Sequence, residues 1–246
     1  MLKFIDANCM IGRRLSPREG APLTTEDYIE IMDRCGIEKA LVYHAVAKES
    51  IMEVGNQLLE QETTDRFLKQ WVVMPGGLGE FIPEEKLLSA MKEKDVRSVR
   101  MLPGLFPYSV RPYASGKLIH MLTEAKVTIF VDKKKMSWED VYTLVSSYPE
   151  TRFVLCNYTY RELRQLFPLV EGYKNLMIDT ANLFVHDGIR EFCRRFGAER
   201  LIFGTAMPEG APSNIVPLVT YADINMEEKQ MIASGNILRL LEEVSL

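Results

Sequence analysis

Four cysteines in 246 residues, with no Cys-x-x-Cys pair, are too few and too scattered for a disulfide framework or a thiolate zinc site. Cys9, Cys35, Cys156 and Cys193 are expected as free thiols. No apolar run reaches membrane length, and the N-terminus shows neither a long apolar core nor a small-residue cleavage signal. A cytoplasmic protein with no membrane partner is the expectation. Positive charge is not in excess either: the net charge is −4, and Lys and Arg are interspersed with Asp and Glu, which speaks against a nucleic-acid partner. A small-molecule ligand is the default. No Gly-x-Gly-x-x-Gly follows any strand candidate, and no linker, low-complexity tract or repeat divides the chain. One domain over 1–246 is expected, and a homo-oligomer is left open.

What the chain does have is apolar residues, 47% of the total, arranged as short Val/Ile/Leu-rich runs that alternate with helix-period stretches. Strands are predicted within Phe4–Gly12, where the strand runs out into a turn, and at Ala40–His44, Phe67–Met74, Val96–Leu102, Val127–Val131, Arg152–Cys156, Leu176–Asp179 and Leu201–Phe203. Helices are predicted from Thr24 or Thr25 to Cys35, over Ser50–Gln61 and Pro83–Lys94, and near 117–125, 138–147, 161–170, 187–196 and 226–242. Eight such units with continuous apolar strands fit a parallel sheet buried on both faces, an α/β fold closed as a single (β/α)8 TIM-type barrel. The longest irregular pieces, Arg13–Leu23, Pro103–Ser115 and Thr205–Asn214, all follow strands, on the barrel face where active sites are built.

Four segments carry a family likeness. Phe4-Ile5-Asp6-Ala7-Asn8-Cys9-Met10-Ile11-Gly12 is a buried strand running into a turn, Asn175-Leu-Met-Ile-Asp-Thr180 is a later strand, and Glu199-Arg-Leu-Ile-Phe-Gly-Thr205 precedes Pro208 and a closing Gly235-Asn236-Ile-Leu-Arg-Leu240. In this order the chain resembles the amidohydrolase-related (β/α)8-barrel family of metal-dependent hydrolases and decarboxylases. The resemblance implies metal ligands at His-x-His on the first strand, a His after the fifth, often a His after the sixth and an Asp after the eighth. Those places fall on Asn8 and Met10, Asp132, Asn157 and Ala206, none of which keeps the family's residue. An amide is a poor zinc donor, a thioether suits softer ions, and Ala supplies nothing. No metal and no other cofactor is therefore expected.

Alternation along a strand puts Asn8 and Met10 inside the barrel and Cys9 outside, and the same parity puts Asn157 inward and Cys156 outward. On the fourth strand Ser98 and Arg100 face inward, with Val99 and Met101 toward the helices. The Arg100 guanidinium needs an anion: Asp132, Asp179, or a ligand carboxylate or phosphate. His44, at the end of the second strand, and His186 are candidate bases, whereas His120 sits in an apolar helix as scaffold. Lys133-Lys134-Lys135 at the mouth reads mainly as solvated charge, Glu209 and Arg111 lie in mouth loops, and Asp6, Asp179 and Asn236 are expected to organise strand ends.

The expected function is a divergent family member with a degenerate, metal-free site that binds a small anionic molecule through Asn8, Met10, Arg100, Asn157, Ala206 and His44. One alternative is a metal-independent lactone or ester hydrolase with Asp132 as base and Asn8 or Asn157 donating to the oxyanion. Another is a structural or regulatory partner of a true family enzyme.

Overall fold

The computed structural model describes residues 2–76 and 82–246. Eight strands pair in parallel in sequence order: β1 Phe4–Ile11, β2 Ile37–His44, β3 Phe67–Val72, β4 Ser98–Met101, β5 Thr128–Asp132, β6 Phe153–Cys156, β7 Leu176–Asp179 and β8 Leu201–Ile202. Ala7 N donates to Phe203 O at 2.9 Å and Met10 N to Met207 O at 2.8 Å, so β1 bonds to the chain leaving β8 and the sheet closes into the expected barrel. Every residue of β1, β4, β5, β6 and β7 is buried, which is why these strands read as unbroken apolar runs.

The helices are α1 Thr25–Cys35, α2 Ala45–Glu49, α3 Met52–Glu62, α4 Glu84–Glu93, α5 Pro112–Glu124, α6 Trp138–Ser147, α7 Leu163–Gly172, α8 Gly188–Phe196, α9 Pro212–Thr220, α10 Met226–Gln230 and α11 Asn236–Glu242. Start and stop signals explain their limits. Thr24 and Asp27 form a capping box at the start of α1, and Gly36, in the left-handed region at φ 71°, ends it. Among the described residues no helix is long and apolar enough to cross a membrane.

The structure departs locally from the sequence reading in three places. Strand β2 begins at Ile37, because the Gly36 cap delivers the chain straight into pairing with Phe4. Residues 45–49, which fall between the predicted strand and helix, form α2 directly at the end of β2. Helix α9 lies where no helix was predicted, starting inside the stretch Thr205–Asn214 expected as irregular: Pro212 sits at the tolerated first position, and burial of Ile215 and Val219 offsets the bond lost at Pro217.

Alternation divides the side chains. Val99, Met101, Val131, Leu155, Ile178 and Phe203 pack outward in the main core between sheet and helices, whereas Ile5, Ala7, Leu41, Phe130, Val154 and Ile202 fill the interior. Ile237, Leu240 and Leu241 of α11 join that interior cluster, contributing roughly 1.5–3 kcal/mol each by burial. Asn236 holds the helix there by donating to the carbonyls of Ala198 and Leu201, both at 2.8 Å. The amino end of the barrel is thus filled, and a polar layer lies above the apolar floor.

Candidate functional site

The polar layer starts on β3 and β4. Gln70 donates to Ser98 Oγ at 2.9 Å and accepts from Arg100 Nε at 2.7 Å, and Arg100 Nη2 donates to Asn8 Oδ1 at 3.0 Å. The guanidinium lies over the Tyr43 ring at 4.4 Å and near Phe130 at 5.6 Å. It is fully buried, and its Nη1 has no hydrogen-bond partner among the described residues. The carboxylate pairing expected for Arg100 gives way to amides and rings: among the described residues no carboxylate comes within ion-pair distance of it.

Asn8 is the junction of the layer. Relative to β2, β1 carries one extra residue between Asp6 and Cys9, and this bulge places Asn8 above Ala7 on the interior side while Cys9 joins the outer core. Asn8 Nδ2 donates to Asp179 Oδ2 at 2.6 Å and to Asn157 Oδ1 at 3.3 Å, and Asn157 Nδ2 donates to Asp132 Oδ2 at 2.8 Å. Asp132 Oδ1 accepts from Lys134 N at 2.9 Å. A chain of hydrogen bonds therefore runs from Gln70 across the barrel to Asp132.

Parity at β6 is corrected by the structure. Cys156 faces the interior, with Sγ 3.9 Å from Arg100 Nη2, and Asn157 faces it too. The reason is local: Asn157 adopts the left-handed conformation at φ 55°, which asparagine tolerates and which breaks the two-residue alternation. Burial raises the Cys156 thiol well above its ordinary value, which suits packing rather than nucleophilic chemistry.

The two buried aspartates part ways. Asp6 accepts from Asn8 N and Thr205 N, both at 3.0 Å, and from the Thr205 hydroxyl, tying β1 to the loop after β8 as a strand-end organiser. Burial pushes it up to about 6 against those hydrogen bonds. Asp179, expected in the same role, reaches into the site instead. Burial pushes it up to about 7 against the pull of the Asn8 hydrogen bond and the Arg100 charge.

The mouth is charged. Helix α2 begins immediately after β2 because His44 Nδ1 accepts from Val46 N at 3.1 Å, and the helix carries Lys48, only 8% exposed, over the barrel. Lys48 Nζ lies 3.5 Å from Asp132 Oδ2 and 3.5 Å from Glu209 Oε1. Burial opposes its charge, but Tyr43, Asp132 and Glu209 outweigh that and hold its pKa above the usual lysine value. Arg14 at 3.3 Å and Lys134 at 3.6 Å also meet the Glu209 carboxylate. Beneath Glu209 is a small cavity of about 10 Å³ lined by Asn8, Met10, Tyr43, Lys48, Asn157 and Ala206. A larger apolar cavity of about 170 Å³ between α3 and α4, outside the barrel, includes none of them.

Of the residues singled out from sequence, Asn8, Met10, Asn157 and Ala206 share that cavity, and Asp132 and Arg100 each stand one hydrogen bond from it. His44 stands apart. Its Nε2 faces Glu62 at 3.2 Å, and its ring fills the space where a Cβ on Gly12 would go, 2.2 Å from Nε2. His186 and Arg111 are exposed, and Lys133 turns inward to Met136 O and Glu162. Sequence reading passed over Lys48, Arg14, Tyr43 and Gln70. Opposite parity to Val42 is a signal for Tyr43, and position just past a strand is one for Lys48. Among the described residues, no three of His, Cys, Asp and Glu gather closely enough to hold a metal ion.

A family profile described as amidohydrolase matches residues 18–242. No curated protein matches the sequence. Among solved structures, a mutant of 5-carboxyvanillate decarboxylase from Novosphingobium aromaticivorans, with bound manganese and 3-methoxy-4-hydroxy-5-nitrobenzoic acid, superposes with a TM-score of 0.76 at 11% identity, covering 98% of this chain and 97% of that one. For 2,6-dihydroxybenzoate decarboxylase from Rhizobium the TM-score is 0.73 at 15% identity, covering 98% and 99%. A candidate 2-pyrone-4,6-dicarboxylic acid hydrolase from Pseudomonas putida gives 0.71 at 15% identity, covering 99% and 98%.

Proposed function

The chain belongs to the amidohydrolase family, and from that footing we propose that its barrel pocket binds a small anionic molecule with protein cations, Lys48 foremost, in the role that a metal fills elsewhere in the family. The observation that carries this is the place of Lys48. Its ammonium lines the same cavity as Asn8, Met10, Asn157 and Ala206, 3.5 Å from Asp132, the one carboxylate at the family's ligand places. A positive charge is already built into the site.

The donor set does not suit a divalent metal. Asn8 and Asn157 have their amide groups committed to each other, to Arg100 and to the two aspartates, Met10 offers only a thioether, and Ala206 offers nothing. A metal at Asp132 would also meet the Lys48 charge. An anion meets the opposite situation, with Lys48 at the cavity wall and the Arg100 guanidinium one hydrogen bond below. The two decarboxylases described above are named for carboxylated substrates, which supports the same ligand class.

Hydrolysis with Asp132 as base is the second reading and ranks lower. Asp132 Oδ1 already accepts from Lys134 N, and Oδ2 accepts from Asn157 beside Lys48, so an attacking water would have to share either oxygen with donors already in place.

The test is calorimetric titration of chelator-treated protein with acetate, benzoate and phosphate, alongside Lys48→Met. Binding that survives the chelator and weakens at least about tenfold in Lys48→Met is expected. Near-stoichiometric metal with a chelator-sensitive melt, or anion binding indifferent to Lys48, overturns the proposal.

A further inference from the structure

Glu209 is the most heavily attended carboxylate of the mouth. It reaches over the cavity from the loop between β8 and α9, and three cations converge on it from three separate places: Arg14 at 3.3 Å, Lys48 at 3.5 Å and Lys134 at 3.6 Å. Arg14 has a second carboxylate, Glu49, at 2.8 Å, and Lys48 has Asp132, whereas Lys134 has Glu209 alone among the described residues. Burial disfavours the Glu209 charge, yet Lys48, Lys134 and Arg14 together hold its pKa below the ordinary value.

The arrangement has a steric and an electrostatic side. The Glu209 carboxylate forms part of the wall of the cavity, whose free space of about 10 Å³ has room for about one water, so a ligand enters only when that wall moves aside. It also neutralises the cations that would attract such a ligand. A second anion brought alongside would be repelled. Removing the Glu209 carboxylate, by contrast, leaves Arg14, Lys48 and Lys134 opposed, among the described residues, by Glu49 and Asp132 alone.

We infer that Glu209 is an internal occupant of an anion subsite, and that the carboxylate or phosphate group of the ligand takes its place on Arg14, Lys48 and Lys134 when the Glu209 side chain turns out to solvent. The inference rests on the anion-binding reading of the pocket and adds where the anionic group sits and what it displaces. Rotation of the side chain suffices, because Glu209 is not fully buried: its side chain is 24% exposed. A tethered competitor lowers apparent affinity by the fraction of molecules in which the subsite is free, so its removal raises affinity without any new contact.

The experiment is calorimetric titration with acetate and, separately, with inorganic phosphate. The proteins are wild type, Glu209→Ala, the near-isosteric Glu209→Gln, and Glu209→Ala combined with Lys48→Met. One-to-one binding at least about tenfold tighter in Glu209→Ala than in wild type is expected, with a matching rise in melting temperature on adding the anion. A smaller gain is expected in Glu209→Gln, which removes the charge but keeps the bulk, and this variant serves if the alanine variant fails to fold. The combined variant should lose the gain. Comparison of the two anions distinguishes a carboxylate subsite from a phosphate subsite. Wild-type binding with no gain in either Glu209 variant overturns the inference and leaves the anion-binding reading standing. A gain that persists without Lys48 places the anion elsewhere and also overturns it. No binding by any of the four proteins overturns both.

Discussion

Lys48 Nζ stands 3.5 Å from Asp132 Oδ2, with both residues almost wholly removed from water. The two are brought together by a five-residue helix at the end of β2 and by the last residue of β5. Neither charge is tolerable there alone, which makes the pair a sensitive point of the site.

Lys48→Met is expected to lower stability by about 3 kcal/mol, since it leaves Asp132 buried with only hydrogen-bond donors around it. Urea unfolding at pH 7 measures this. A loss under about 1 kcal/mol would mean that the pair behaves like a solvated surface contact.

Asn8→Ala removes one acceptor for Arg100 and two donors, to Asp179 and Asn157, all inside the barrel. A loss of about 3 kcal/mol is expected from the groups left unpaired. Asn8→Asp restores the acceptor for Arg100 but sets a carboxylate against Asp179, so it should be tolerated better at pH 5 than at pH 8. Equal loss at both pH values would argue against Asp179 as the titrating neighbour.

Asp179 makes stability depend on pH in a definite direction. Its pKa rises from 3.8 to about 7 on folding, so between those values the folded protein binds more protons than the unfolded chain. Stability therefore falls as pH rises through that window and levels off above it, with an upper bound of roughly 4 kcal/mol for three units at about 1.4 kcal/mol each. Asp6, raised to about 6, acts in the same direction over a narrower range. Asp179→Asn keeps an acceptor for Asn8 and should flatten much of the slope between pH 5 and pH 8, as read by denaturant midpoints. A slope unchanged by the substitution would assign it to other groups.

Returning the family's ligands tests both the correspondence of positions and the role of Lys48. Asn8→His, Met10→His, Asn157→His and Ala206→Asp together supply three imidazoles and a carboxylate, a donor set adequate for zinc. Ala206 lies in the left-handed region at φ 57°, where Asp is more at ease than Ala. With Lys48 in place the ammonium competes for the same volume, so adding Lys48→Ala should tighten zinc binding by at least about tenfold. Titration with zinc decides it: a folded five-fold variant that binds no better than the parent would remove the support for these positions.

The barrel was legible because its signals are short-range. A buried parallel strand shows in four to eight apolar residues, and the caps at Thr24 and Gly36 show in single residues, so the order of elements follows from local windows. Helix α9 and the early turn of α2 escaped for a related reason. Their local signals, two prolines in one case and five residues in the other, are weak or contrary, and packing or capping decides them.

The candidate site divides along the same line. The sequence by itself determined which residue types stand at the family's ligand places, and strand parity set Asn8, Met10 and Arg100 inward. Only the tertiary structure decided that Cys156 and Asn157 both face the interior, through a left-handed residue that no alternation rule anticipates. The same holds for Asp179 beside Asn8, 171 residues away, and for Lys48 beside Glu209, 161 residues away. Closure of the barrel brings those ends of the chain together. Charge and hydrogen-bond partners are properties of that closed space, and a sequence window of one strand or one helix contains no trace of them.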